Sequence, residues 1–143
     1  MNQLYDTDIL SWSHEPVALL RAQRRSELDL DNIIDEIADV GRAEQRELQS
    51  RFVVLICHLL KWAYRPDRRR KSWTTSMDIQ RSGLARVLRK MPSLCHTFED
   101  DDWLQGAWNW AVVQAIDETG LHKFPRDPVW SIDQILDRSF LPD

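Results

Sequence analysis

The sequence predicts an all-α protein: a single domain over residues 1–143, built as a bundle of five or six helices around one central hydrophobic helix. The chain has four Gly and six Pro against seven Trp, so turn-forming residues are too scarce for a many-turned β-sandwich. Apolar residues recur every three or four positions, and no stretch shows the alternation of a half-buried strand. Hydrophobic residues at 43% and charged residues at 29% are typical of a chain that folds.

The first third of the chain predicts two amphipathic helices. Residues 6–25 are helical in pattern, with Pro16 either in the first turn after an N-cap at Ser13 or kinking one longer helix. The second helix has Asp29 and Asp31 as capping candidates and Gly41 as its stop. Its apolar residues recur at spacings of three and one: Leu30, Ile33, Ile34, Ile37 and Ala38.

The segment from Arg42 to Tyr64 predicts the central helix of the bundle. Its dominant apolar stripe consists of Leu48, Phe52, Leu55, Ile56, Leu59 and Ala63, and Val53, Cys57 and Leu60 add a second apolar flank. A helix that is apolar on most sides lies in the middle of a bundle. Pro66 ends it, because proline disfavours helical geometry at the residue before it.

Two long helices and a short one follow in the pattern. One covers residues 72–91 and stops at Pro92. The next resumes after Pro92, passes an acidic run with Asp101 as an internal N-cap, and stops at Gly120. Ser131 is a good N-cap for a short terminal helix.

Several classes of protein are excluded or disfavoured. The longest charge-free apolar run, residues 52–60, has nine residues, half of what a bilayer span needs, so no membrane protein is expected. The first residues lack the basic and apolar regions of a secretory signal, and we expect a cytoplasmic protein. Cys57 and Cys95 are 38 residues apart without paired spacing, which favours buried reduced thiols over a disulfide or zinc site.

No arrangement of residues that catalysis would need stands out. The chain has no Glu-x-x-His pair, so we predict no metal site, no cofactor and no catalytic residues. His58 is the one candidate functional histidine, since it shares a polar strip with Arg51, Lys61 and Arg65. Its alternative role is a histidine satisfied by a neighbouring helix, so an enzyme is the weakest of the hypotheses.

The charge is strongly polarised along the chain. Residues 61–90 contain ten Lys or Arg and two acids, so the formal net charge of −4 conceals a cationic segment of +8. Cations and aromatic residues alternate there, as in surfaces that neutralise nucleic-acid backbones and stack bases. The alternative is that Trp62 and Trp73 are core anchors of their helices. The candidate nucleic-acid interface consists of Lys61, Trp62, Arg65, Arg68, Arg69, Arg70, Lys71 and Arg86.

The acidic residues support a different hypothesis, which the sequence favours. The candidate partner-binding face consists of Asp31, Asp35, Glu36, Asp39, Glu99, Asp100, Asp101 and Asp102. A small acidic bundle without catalytic residues suits a noncatalytic protein-binding module. Its sharpest form is an inhibitor of the immunity or antitoxin kind that neutralises a basic protein or nuclease toxin. The plainer alternative is that these acids keep the domain soluble.

Several motifs resemble a known family. They are Glu27-Leu28-Asp29-Leu30-Asp31-Asn32, Gly41-Arg42, Glu47-Leu48, His58-Leu59-Leu60-Lys61-Trp62, Pro92-Ser93-Leu94, Glu118-Thr119-Gly120-Leu121 and the run from Trp130 to Asp137. In this order they resemble the bacterial helical family catalogued as domain of unknown function 29. The resemblance covers almost the whole chain and implies an all-helical fold, but it brings no reaction or catalytic residues. Pro16 departs from the family pattern.

Overall fold

A computed structural model describes residues 3–143, and this part of the chain is all-α, as predicted, without a strand. It contains seven α-helices, against the five or six expected, because the short helix at Gln3–Thr7 is separate from the helix predicted over residues 6–25. The helices are α1 (Gln3–Thr7), α2 (Ile9–Arg21), α3 (Leu30–Ala38), α4 (Arg42–Tyr64), α5 (Lys71–Lys90), α6 (Asp101–Thr119) and α7 (Ile132–Leu136). Short 3₁₀ segments occupy Arg25–Glu27, Pro66–Arg68 and Pro92–Glu99. None of the helices within residues 3–143 has the length and apolar character needed to cross a membrane.

The helices divide into two compact units, Met1–Arg42 and Ala43–Asp143, and the single domain predicted over residues 1–143 stays a prediction. In the first unit, Trp12 packs its ring edge-on against Tyr5 and donates its indole N–H to Asp29 at 3.1 Å. The Tyr5 hydroxyl donates to Glu36 at 2.8 Å, and this hydrogen bond is the main reason that the pKa of Tyr5 is raised to about 12. Polar contacts from α3 therefore tie it to α1 and α2.

The structure decides between the two alternatives for the first helix and moves the start of α6 by one residue. Asp8 caps α2 by accepting from the backbone N–H of Ser11 at 3.0 Å, so Ser13 is not the N-cap and Pro16 lies inside one longer helix, the second of the two alternatives. Asp100, not Asp101, caps α6. These two residues are adjacent and have the same side chain, so backbone geometry decides between them. Gly120 ends α6 as predicted, in the left-handed conformation at φ 73° that glycine adopts without steric cost.

The second unit is built around α4, which confirms the predicted central hydrophobic helix. Its buried side chains come from both predicted flanks: Leu48, Phe52, Val53, Leu55, Ile56, Cys57, Leu59 and Leu60. Phe52 contacts Phe98 from the 3₁₀ segment and Trp103 from α6, at ring separations of 5.2 and 5.4 Å. Aromatic contacts from two elements thus close one side of α4.

The chain after α6 is held by polar contacts to the helices. Trp108 donates its indole N–H to the carbonyl of Pro125 at 2.9 Å. Arg81 of α5 is 3% exposed and donates to the carbonyls of Ile135 and Phe140 at 2.9 and 3.0 Å. Ser131 caps α7 in a capping box with Gln134, as the sequence predicts for the N-cap.

Replacing Arg81 should destabilise the fold because two backbone carbonyls lose a charged donor. We expect Arg81→Met to lower the free energy of unfolding by about 2–3 kcal/mol, the typical cost of losing hydrogen bonds to a charged group. Arg89→Met on the same helix alters an exposed side chain and should change stability by less than about 0.5 kcal/mol. Urea denaturation measures both, and equal effects of the two variants would contradict this role for Arg81.

Candidate anion-binding cleft

Four of the ten basic residues of the cationic segment line a cleft of about 420 Å³ in the second unit. The end of α4, the 3₁₀ turn Pro66–Arg68, the start of α5 and the end of α6 form its walls. The lining residues are Lys61, Arg65, Arg68, Arg70, Trp73, Glu118 and Thr119. Four of these seven side chains are cationic and one is anionic, so the cleft favours an anion.

Lys61 lies at the base of this arrangement and is 8% exposed. Its Nζ contacts Oε2 of Glu118 at 2.7 Å and lies 5.0 Å from the centre of the Trp73 ring. Burial alone would raise the pKa of Glu118, but the hydrogen bond and the charge of Lys61 outweigh it, so this pKa lies below its usual value. Glu118 therefore carries a negative charge that compensates the buried ammonium group.

Arg65 connects the end of α4 to the end of α6. Its Nη1 donates to the carbonyl of Thr119 at 3.4 Å, and its Nε lies 3.3 Å from Oδ1 of Asp67. Asp67 also lies 3.8 Å from Nε of Arg68, and the two arginines together lower the pKa of Asp67, Arg65 through the largest contribution. One aspartate is thus shared between two arginines, which leaves a net positive charge at this wall.

The two tryptophans of the segment hold cations on their rings. The Arg69 guanidinium lies 4.9 Å from the centre of the Trp62 ring, and its Nε donates to the Trp62 carbonyl at 2.9 Å. Arg70 lies 5.5 Å from the centre of the Trp73 ring, which also carries Lys61. Both tryptophans are half-buried rather than fully internal. Their cation–π contacts help to position the charged groups of Lys61, Arg69 and Arg70.

Three cationic residues lie at the start of α5, the end of a helix where positive charge is least favourable. Within residues 3–143, no carboxylate lies within 4 Å of the charged groups of Arg69, Arg70 or Lys71. Arg70 is the N-cap, no side chain caps the helix, and the first turn contains no acidic residue. Since the N-terminal end of a helix carries partial positive charge, cations placed there are destabilising.

One known protein family matches this chain. The sequence model of the family described as "Domain of unknown function DUF29" matches residues 4–141. The chain belongs to the DUF29 family. No curated protein and no solved structure matches it. Family membership therefore confirms the resemblance seen in the motifs, but the family description gives no function.

The DUF29 chain does not bring every basic candidate into the cleft. Arg86 lies four-fifths of the way along α5, where it donates to Glu47 at 3.1 Å. Arg69 and Lys71 are exposed and adjoin the cleft through their neighbour Arg70. Sequence reasoning did not place Glu118 or Thr119 in this site, and it left open whether Trp73 anchors the core or belongs to the cationic surface. No local signal marks Glu118 or Thr119, because the contact between Lys61 and Glu118 joins residues 57 positions apart.

The acidic candidates of the DUF29 chain belong to different units. Asp31, Asp35, Glu36 and Asp39 lie in or next to α3, in the first unit. Asp100, Asp101 and Asp102 lie at the start of α6 in the second unit, and Glu99 ends the 3₁₀ segment before it. Asp100 caps α6, and the two acids that follow it occupy the first turn, where the helix dipole favours negative charge. These acids at the start of α6 therefore have a structural role in their own helix.

His58 forms its hydrogen bond within α4, not with a neighbouring helix as expected. Its Nδ1 lies 2.9 Å from the carbonyl of Val54, and burial lowers the pKa of the ring. The buried thiol of Cys57 donates to Glu118 at 3.6 Å, whereas Cys95 is exposed, contrary to the expectation that both are buried. Among residues 3–143, no three His, Cys, Asp or Glu side chains group closely enough to hold a metal ion.

The two cysteines should differ sharply in reactivity. Burial, followed by the charge of Glu118, raises the pKa of Cys57 to about 12, so almost no thiolate forms near neutral pH. We expect a maleimide reagent at pH 7.5 to modify one thiol per native chain, at Cys95, and two after unfolding in urea. Mass spectrometry of peptides from the labelled protein identifies the site. Rapid labelling of Cys57 in the native protein would show that this thiol is not buried as described.

Proposed function

We propose that this DUF29 protein binds nucleic acid through the cleft, by contacting backbone phosphates without reading the base sequence. The observation that carries the proposal is the group Arg69, Arg70 and Lys71 at the start of α5, which has no carboxylate partner within residues 3–143. Cations at a helix N-terminus destabilise the free protein. A bound polyanion would relieve this repulsion and would also interact with the helix dipole.

The tryptophans support backbone contact rather than base stacking. A base that stacked on the cation-bearing face of Trp62 or Trp73 would have to displace the cation from it. The cation–π contacts instead hold Arg69 and Arg70 in place before the ligand arrives, which reduces the entropy lost on binding. This arrangement favours phosphate neutralisation, which is independent of sequence and sensitive to salt.

A polymer fits the array better than a small anion does. Lys61, Arg65, Arg68 and Arg70 line the cleft, and the exposed side chains of Arg69 and Lys71 continue the positive charge outside it. Residues 65–71 contain five cations against Asp67 alone. A single phosphate would engage only part of this array, whereas successive phosphates of one strand can engage all of it.

The protein-binding hypothesis stays a prediction. The eight acidic candidates are divided between two units, and those at the start of α6 are accounted for by the helix itself. The neutralising role and the cytoplasmic location also stay predictions.

Nucleic-acid binding can be measured by fluorescence anisotropy with a labelled single-stranded RNA of about 20 nucleotides and a DNA duplex of similar length. If the protein contacts four or five phosphates, the logarithm of the association constant should fall linearly with the logarithm of the salt concentration, with a slope of about −3 to −4. Arg70→Gln should weaken binding about threefold to tenfold on every sequence tested and reduce the magnitude of the slope by about 1. Arg86→Gln, a matched change on the same helix but outside the cleft, should leave affinity unchanged.

Two results would contradict the proposal. One is the absence of binding to either probe at about 50 mM salt, where the release of counterions favours binding most. The other is equal weakening by Arg70→Gln and Arg86→Gln, which would mean that the cationic surface as a whole, and not the cleft, attracts the probe. Circular dichroism of both variants shows whether their helix content is unchanged.

Glu118 should oppose the ligand because it is the one acid lining the cleft. Replacing it with glutamine keeps the size of the side chain and removes a negative charge that repels phosphate and neutralises Lys61. We expect Glu118→Gln to increase affinity about fivefold, which corresponds to one charge acting at about 5 Å through water. The same anisotropy assay measures it, and a loss of affinity would show that Glu118 instead positions Lys61 for the ligand.

A further inference from the structure

The first unit exposes an apolar surface that the cleft does not involve. The α3 stripe, defined as Leu30, Ile34, Ile37 and Val40, has side chains between 53% and 70% exposed. The spacing of its first three members at four and three residues places them on one face of α3, and Val40 follows just beyond the helix. Single exposed aliphatic residues are ordinary, but a contiguous row of four marks an interaction surface.

The local structure gives α3 little support on this face. None of the nine residues of α3 is buried, and a helix of this length is marginal without packing. Its anchors in the first unit are polar: Tyr5 to Glu36, and the hydrogen bonds that Trp12 and Asn32 donate to Asp29 just before the helix. The apolar face of α3 is therefore the part of the helix that gains most from a partner.

Charge beside the stripe indicates the chemistry of that partner. At 100° per residue, Asp31 and Asp35 lie on the flank of α3 next to Ile34, whereas Asp39, the C-cap, is turned away from the stripe and is paired with Arg42 at 2.8 Å. Residues 1–42 contain nine acids against four basic residues. A second copy docked through the same stripe would bring like charges together, and anionic lipid would be repelled, whereas a cationic surface would be attracted.

We infer that the α3 stripe and its acidic flank dock a positively charged amphipathic helix of a partner protein. Apolar residues of that helix, at spacings of three and four, would cover Leu30, Ile34 and Ile37, and its Lys or Arg residues would lie against Asp31 and Asp35. Apolar burial supplies the affinity, and the charges favour a cationic over an anionic partner. This docking is independent of the nucleic-acid cleft, since it uses different residues and the opposite charge.

The test uses the full chain and two labelled peptides of about 18 residues with leucine at helical spacing, one with lysine at the other positions and one with glutamate. We expect the lysine peptide to bind and the glutamate peptide not to bind. Ile37→Gln leaves the charge unchanged, and Asp35→Lys leaves the stripe unchanged, and each should weaken the lysine peptide about tenfold. Val113→Ser, an exposed apolar position on α6, is the matched control and should have no effect.

Three results would overturn the inference. The first is an affinity for the lysine peptide that is undetectable or that Ile37→Gln does not change, because the stripe would then contribute nothing. The second is a dimer in light scattering that Ile37→Gln dissociates, which would make a second copy the occupant. The third is binding of anionic lipid vesicles that depends on Ile37. Circular dichroism of each variant, with unchanged helix content, shows that the affinities refer to the folded protein.

Discussion

The burial of α4 is the constraint on which the second unit depends. A helix of 23 residues that is apolar on most of its sides requires neighbours around it, and α5, α6 and the 3₁₀ segment Pro92–Glu99 supply side chains to the same core. Residues after α6 complete that cover, since Phe124 and Ile135 belong to the buried cluster. The packing of these elements around α4 follows from the need to remove the apolar surface of α4 from water.

The same helix also creates the cleft. Lys61 falls one turn before the end of α4, where the core gives way to the cationic turn, so its stem is buried while its amino group reaches Glu118. This ion pair joins the end of α4 to the end of α6, and Arg68 and Arg70, which follow Pro66, line the cleft beside it. The packing of α4 in the core thus positions the charged side chains of the cleft, although these charges do not contribute to the core.

Sequence patterns predicted what depends on local spacing. The bounds of α4, the stop at Gly120 and the cap at Ser131 follow from apolar periodicity, a left-handed glycine and a side chain that reaches a nearby N–H. The choice of Asp100 over Asp101 as the cap of α6 did not follow, because adjacent residues with the same side chain can both act as a cap. The cationic segment was visible in the sequence, but Glu118 was not, since its partner is remote in the chain.

The central claim, that phosphate groups bind in the cleft, is tested most directly by nuclear magnetic resonance of the isotopically labelled protein titrated with a short single-stranded oligonucleotide. If phosphate groups bind in the cleft, the largest chemical-shift changes should fall on residues 61–73 and on Glu118 and Thr119, with the indole N–H of Trp73 among them. The amides of α3 should remain unchanged, because that helix is acidic. Changes spread over the whole of α5 as far as Arg86 and Arg89, without enrichment at the cleft, would contradict it.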